Sequence, residues 1–204
     1  WEQRIEKFGK EKAFLPLTFS GALKGEVGVK TAIETGYLRL LPGVHDPMGR
    51  AVIHSDQSRN DLTRYTRSGM MRAFWYLMHA AMEEESVQRN GIVLLATPRN
   101  SRMGQFDRTV SNKNVHSFRH ALPVATAIIH VCHPPAFLSI LMPIAKTFLG
   151  NLLHNIHVHS GTDEDVQNSL ASFGLSHQTL PTDVGGDVVL DQKKWLEERM
   201  SLGL

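Results

Sequence analysis

The sequence predicts an α/β fold on a mixed, largely parallel sheet of about five strands, with helices against one face. Three observations carry this. Short apolar runs at Ile92 to Ala96, Thr126 to Cys132 and Ile156 to His159 read as strands buried on both sides. Stretches of helical period lie between such runs, and parallel strands need crossovers of that kind. The chain of 204 residues is also long enough to bury a sizeable core and still enclose a cavity.

Taken in order, residues 1–35 mix charges with scattered apolar positions and read as short helices around a Gly-rich loop at Gly21 to Gly28. Tyr37 to Leu41, the turn residues Asp46-Pro47-Met48-Gly49, and Ala51 to His54 read as strand, loop and strand. Asp61 can cap a long helix running to Asn90, with Met71, Phe74, Trp75, Met78 and Met82 forming one apolar stripe. Asn90-Gly91 stops it ahead of the first buried strand. An Arg-rich loop (Pro98 to Arg108) and a helix around Asn112 to Leu122 lead into the second. Thr162 with Asp165 three positions on signals a helix start after the third. A last helix covers Gln192 to Met200.

Charge narrows the function. Lys plus Arg is 22 and Asp plus Glu is 20, a net charge of +2. A nucleic-acid partner is therefore not expected, since such binders show a basic excess or stripe. The single Cys132 has no partner for an internal disulfide, which favours a reducing, cytoplasmic setting. The chain starts at Trp1 rather than methionine and reads as an excised domain or a fragment.

Between Pro134 and Leu153 the only charge is Lys146. Phe137, Leu141, Ile144 and Phe148, with their apolar neighbours, go all the way round a helical wheel. Such a segment must be buried on every side, or meet a ligand or a membrane. Pro143 should kink or break it, and the prolines and Lys146 argue against a membrane span of about 20 clean apolar residues. By composition it fits a core helix and a lid equally.

Other chemistry fits poorly. His157 and His159 alternate onto one strand face, a zinc-compatible geometry, but there is no His-Glu-x-x-His and no cysteine pair. No metal or cofactor is expected, and the histidines read as satisfied or surface residues. A phosphatase loop at Cys132 would need an arginine six residues on, where Leu138 stands. In Gly25-Glu26-Val27-Gly28-Val29-Lys30-Thr31, Val29 separates glycine from lysine, so a phosphate loop is rejected. There is no Gly-x-Ser-x-Gly elbow. No catalytic residue is assigned. Arg99, Arg102, Arg108, Lys113 and Arg119 read as a solvated basic face, with docking to an anionic membrane as the functional alternative.

Four motifs follow in register: Ile128-Ile129-His130-Val131-Cys132-His133-Pro134-Pro135, Lys146-Thr147-Phe148-Leu149, Ile156-His157-Val158-His159, and the ending Leu180-Pro181-Thr182-Asp183-Val184-Gly185-Gly186. Together they resemble the CRAL-TRIO lipid-binding domain. Upstream, Asp46-Pro47-Met48-Gly49-Arg50-Ala51-Val52 resembles the family's Asp-x-x-Gly-Arg-Pro-Val. The resemblance covers residues 36–190 and leans toward the tocopherol-transfer and retinaldehyde-binding branch. It implies a helical remnant at 1–35, the lipid-binding domain at 36–190 and a helix packing on it at 191–204. It further implies a sheet as pocket floor, helices behind it and a movable gate helix, matched by Pro135 to Leu149.

The pocket wall implied by the resemblance is Met71, Phe74, Trp75 and Met78, then Ile92, Leu94 and Ala96, then Phe106, Ser117, Phe118 and Ile129. Ala127, Ile129 and Val131 share one strand face, and Phe137, Leu141, Ile144 and Phe148 fall on the gate. The implied protein is a non-enzymatic monomer, cytoplasmic and peripherally membrane-bound, that carries a lipid or isoprenoid-like ligand between membranes. A membrane-sensing or protein-interaction module without transfer is the alternative. Two stretches depart from the family: Ala96-Thr97-Pro98-Arg99-Asn100 replaces an expected Asp and Gly. Leu152 and Asn155 stand where phosphoinositide-binding members carry basic residues near the gate.

Overall fold

In the computed structural model, which describes residues 1–124, 127–140, 143 and 150–204, the strands lie side by side in the order in which the chain makes them. They are β1 (Leu38–His45), β2 (Ala51–Ser55), β3 (Ile92–Ala96), β4 (Ala127–Cys132) and β5 (Ile156–His159). β1 and β2 form an antiparallel hairpin and the other pairs are parallel. This is the fold class expected from the sequence. The hairpin turn is held by Asp46, whose Oδ1 accepts from the backbone N–H of Met48 at 3.0 Å and of Arg50 at 2.9 Å.

Among the described residues the α-helices are α1 (Glu2–Phe8), α2 (Val29–Glu34), α3 (Arg67–Ala81), α4 (Glu85–Asn90), α5 (Arg108–His120), α6 (Asp163–Ala171) and α7 (Gln192–Ser201). Where one long helix was expected from Asp61, two shorter ones stand. The Asp61 carboxylate is taken up by the N–H and hydroxyl of Thr63, at 3.0 and 2.6 Å. Thr66 caps α3 instead, its Oγ1 accepting from the N–H of Gly69 at 2.9 Å. The helix stops at Ala81, and two of the carboxylates that follow reach side chains on other elements. Glu83 meets Arg199 at 2.6 Å and Glu84 meets His45 at 2.9 Å. α5 starts earlier than expected because Asp107 caps it, accepting from Thr109 and Val110 N–H. At α6 the expected capping box forms between Thr162 and Asp165.

Burial on α3 extends beyond the one apolar stripe expected, since residues on nearly all its sides are buried. Phe8 of α1 meets Trp75 edge-on at 5.8 Å, and Phe19 meets Tyr76 at 5.0 Å. From the far end of the chain, Arg199 Nε donates to the Tyr76 hydroxyl at 2.7 Å.

Two cores result, one on each face of the sheet. Leu38, Leu40, Ala51, Ile53 and Ile92 pack with α3 in the first. Leu41, Val52, Val93, Leu95 and Cys132 pack in the second against Val166 and Leu170 of α6 and against Leu175, Leu180 and Val184. The Leu180-to-Gly186 ending is thereby part of the second core, and its glycines have a steric reason. Gly185 adopts φ +77°, and a Cβ on Gly186 would fall 2.0 Å from the Leu180 carbonyl oxygen. Gly186→Ala is therefore expected to cost about 1–3 kcal/mol, the range for overpacking a tight site, seen as a lower midpoint in urea unfolding. An unchanged midpoint would show that the turn can open freely.

Candidate functional site

The register aligns the apolar side chains of one face into rows that cross the whole sheet. Leu40, Ile53, Leu94, Ile129 and Ile156 are successive cross-strand partners from β1 to β5. Leu38, Ser55, Ala96, Val131 and Val158 form the next row, apolar except at the buried Ser55. Exposure rises along both. Toward β1 the rows are sealed beneath α3. Leu94, Ala96, Ile129, Val131 and Ile156 are half-buried, and Val158 is 56% exposed. This end of the sheet therefore presents an apolar floor.

Of the residues expected to line a pocket, Leu94, Ala96, Ile129 and Val131 come together on this floor. Ala127 pairs with Ile92 in the ladder, and Ile92 lies fully buried at the α3 end. Met78 and Phe74 are sealed in the same core, Phe74 edge-on to Phe118 at 5.0 Å. Trp75 donates its indole N–H to Ser117 Oγ at 3.1 Å, joining α3 to α5. Met71 and Ser117 line a cleft beside α1 rather than the floor. Phe106 is half-buried just ahead of α5, and Phe137 half-buried after β4. Leu141, Ile144 and Phe148 lie outside the described residues. Ile156 and Val158 belong to the floor but are missing from the sequence-based set. The alternation of Ile156-His157-Val158-His159 already separates them from the histidines.

The opposite face carries the polar row Arg39, His54, Leu95, His130 and His157. His54 is fully buried; its Nδ1 lies 2.6 Å from Arg39 Nη2 and its Nε2 lies 2.8 Å from Thr97 Oγ1. Arg39 also binds the Asp183 carboxylate directly. An Asp, a His and a hydroxyl thus stand together, but in the wrong order for nucleophilic catalysis. Arg39 can only donate, so Nδ1 accepts and Nε2–H must point at Thr97. An imidazole so arranged cannot take the Thr97 proton, as a triad requires. Burial, then the Arg39 charge, push His54 down to about 3.

His130 Nδ1 lies 2.9 Å from His159 Nε2, and His159 Nδ1 lies 2.8 Å from Ser169 Oγ. Phe173 packs edge-on against His130. Among the described residues no three His, Cys, Asp or Glu side chains are grouped so as to hold a metal ion. Burial, followed by His159 and His157, pushes His130 down to about 4, and burial pushes the Cys132 thiol up to about 12.

These histidines make stability acid-sensitive. An unfolded histidine titrates near ~6.5, so above that pH neither state gains a proton and His54 and His130 have no effect. As pH falls below about 6.5 the unfolded chain binds protons that the folded chain refuses, and stability drops until the folded values are passed. The thermal midpoint is expected to fall steadily from pH 7 to about pH 4, less steeply in His130→Asn. A flat profile would contradict the neutral assignment.

The CRAL/TRIO domain family model matches residues 34–186. The chain is 27% identical over 171 residues to the "Alpha-tocopherol transfer protein-like" protein of Homo sapiens, covering 82% of this chain and 48% of that protein. It is 24% identical over 163 residues to Clavesin-2 of Mus musculus, covering 78% and 48%. The chain thus spans about half the length of these curated relatives. In fold it is similar to the crystal structure of Sfh5, with a TM-score of 0.53 at 10% identity, over 78% of this chain and 56% of that one. Among the described residues no helix is long and apolar enough to cross a membrane.

Proposed function

Because the chain belongs to the CRAL/TRIO domain family, a family of lipid-binding and transfer domains, we propose that it is a non-enzymatic carrier. It takes a lipid or other hydrophobic small molecule from one membrane and releases it at another. The observation that supports this best is the pair of apolar rows whose exposure rises toward β5, ending at Val158. Apolar surface contributes about 25 cal/mol per Å² when removed from water. A ligand lying along Leu94, Ile129, Val131, Ile156 and Val158 gains that burial without any directional contact.

Specificity then rests on shape and on a few polar groups. The relatives' name points to a tocopherol-like ring-and-chain ligand. In this reading Pro135 to Leu149, of which residues 141, 142 and 144–149 lie outside the described residues, serves as the gate, and contact with a bilayer favours the open form because it offers apolar side chains an equivalent environment.

Native mass spectrometry of the protein purified from cells should show a co-purified lipid. Fluorescent-lipid transfer between donor and acceptor liposomes should then be accelerated by the protein. Apo protein alone, with no uptake from liposomes, would overturn the carrier reading. Binding without transfer would favour a membrane-sensing module.

A further inference from the structure

On β4 and β5 the alternation that turns Ile129, Val131, Ile156 and Val158 to the apolar floor gathers His130, His157 and His159 on the reverse. β5 is the last strand of the sheet, four residues long, and among the described strands it pairs with β4 alone. One aromatic ring covers all three histidines. Phe173, just past α6, has its centroid 4.7 Å from that of His130, 4.6 Å from His157 and 5.8 Å from His159. Beneath it His130 and His159 are 1% and 4% exposed.

The neighbours leave a positive charge there unanswered. Asp46 and Arg50 act on His130 from the hairpin turn but bind each other. Asp163, which opens α6, is held by Arg99 and His133. Leu95 flanks His130 from β3, Ser169 presents only a hydroxyl to His159, and Cys132 beside it keeps its thiol protonated. Among the described residues no carboxylate forms an ion pair with His130, His157 or His159. Between the strands, His130 Nδ1 and His159 Nε2 at 2.9 Å need one N–H and one lone pair between them. Neutral rings meet this, and so does one extra proton, at the cost of burying its charge. With both rings protonated, N–H faces N–H and the contact must break. His159, on the edge strand, is the ring able to leave.

We propose that this cluster is a proton-operated latch: acid parts β5 from β4, opens the free end of the apolar floor and lets a bound ligand go. The release step rests on the carrier reading; the opening of β5 does not. Burial holds His130 down at about 4 and lowers His159 as well, whereas in an opened strand both would titrate near ~6.5. The latch is therefore fully closed above about pH 6.5 and loosens as pH falls toward about 4.

Hydrogen exchange read by mass spectrometry follows the opening without any ligand. Between about pH 7.4 and about pH 5, protection at Ile156–His159 should fall about thirtyfold beyond the intrinsic pH effect, the value for one such histidine, while β2 and β3 keep theirs. The His130→Asn/His159→Gln double variant should lose this difference. Phe173→Ala, which lets water reach the rings, should move the opening to higher pH. Retention of α-tocopherol, loaded from phosphatidylcholine vesicles, should fall over the same range and recover on neutralisation. Exchange at β5 that rises no more than at β2 and β3 overturns the proposal, whether or not the double variant folds. Retention that is normal at neutral pH and unchanged by acid overturns the release step and leaves the carrier reading in place. Opening of β5 with no lipid held at any pH, co-purified or loaded, overturns the carrier reading while the latch stands.

Discussion

Asp183→Ala is expected to lower stability by about 3–5 kcal/mol, the cost of leaving a buried charge without its partner. Arg39 is 4% exposed and its guanidinium reaches Asp183 across 144 positions of sequence. With the carboxylate gone, only neutral His54 and its neighbours remain to answer that charge. For a chain of this size the thermal midpoint should fall by roughly 6–20 °C. Arg39→Met in the same background should recover much of the loss, because the unpaired charge leaves with it. A midpoint within a degree of the parent would show that Arg39 finds water or another acceptor.

The same pair has a pH signature of its own. Burial pushes the Asp183 carboxyl up, but the Arg39 hydrogen bond and charge outweigh it, and the group sits below the usual carboxylate range. Its folded value is thus lower than its unfolded one, near ~3.9. The pair's stabilisation is fully present above that pH and is lost only as pH falls through the folded value. Acid loss between about pH 6.5 and 4 therefore belongs to the histidines, and below about pH 4 Asp183 adds its loss to what His54 still contributes.

The second large effect is on ligand retention. Val158→Asp places a carboxylate on the exposed end of the apolar floor, where the fold tolerates it. A ligand covering that position must strip water from an unpaired charge, at several kcal/mol. Retention of co-purified lipid and the liposome transfer rate should each fall about tenfold or more, with the thermal midpoint nearly unchanged. Ile129→Asp, on the same face, should act similarly with some loss of stability, and Val158→Thr should be mild. Unchanged retention in Val158→Asp would place the ligand elsewhere.

The strands and their parallel order were legible in sequence because both depend on local pattern. An apolar run between helical stretches has few alternatives, and the alternation in β4 and β5 already separates Ile129, Val131, Ile156 and Val158 from the histidines. The motif ending at Gly186 was legible as a pattern without its cause. That cause is the Leu180 carbonyl, which leaves no room for a side chain.

What only the tertiary structure decided are the partners that sequence distance hides. The spacing of Met71, Phe74, Trp75, Met78 and Met82 marks one apolar stripe, yet Phe8, Phe19 and Arg199 close in on the other sides of α3 from both ends of the chain. Met71 and Ser117, expected in one apolar wall, open onto a cleft whose charge comes partly from Lys7 on α1. Periodicity records which side of an element is apolar; it carries no information about which distant element arrives to cover that side, or with what charge. Burial and ion pairing between segments far apart in the chain settle those questions, and they appear only once the chain is folded.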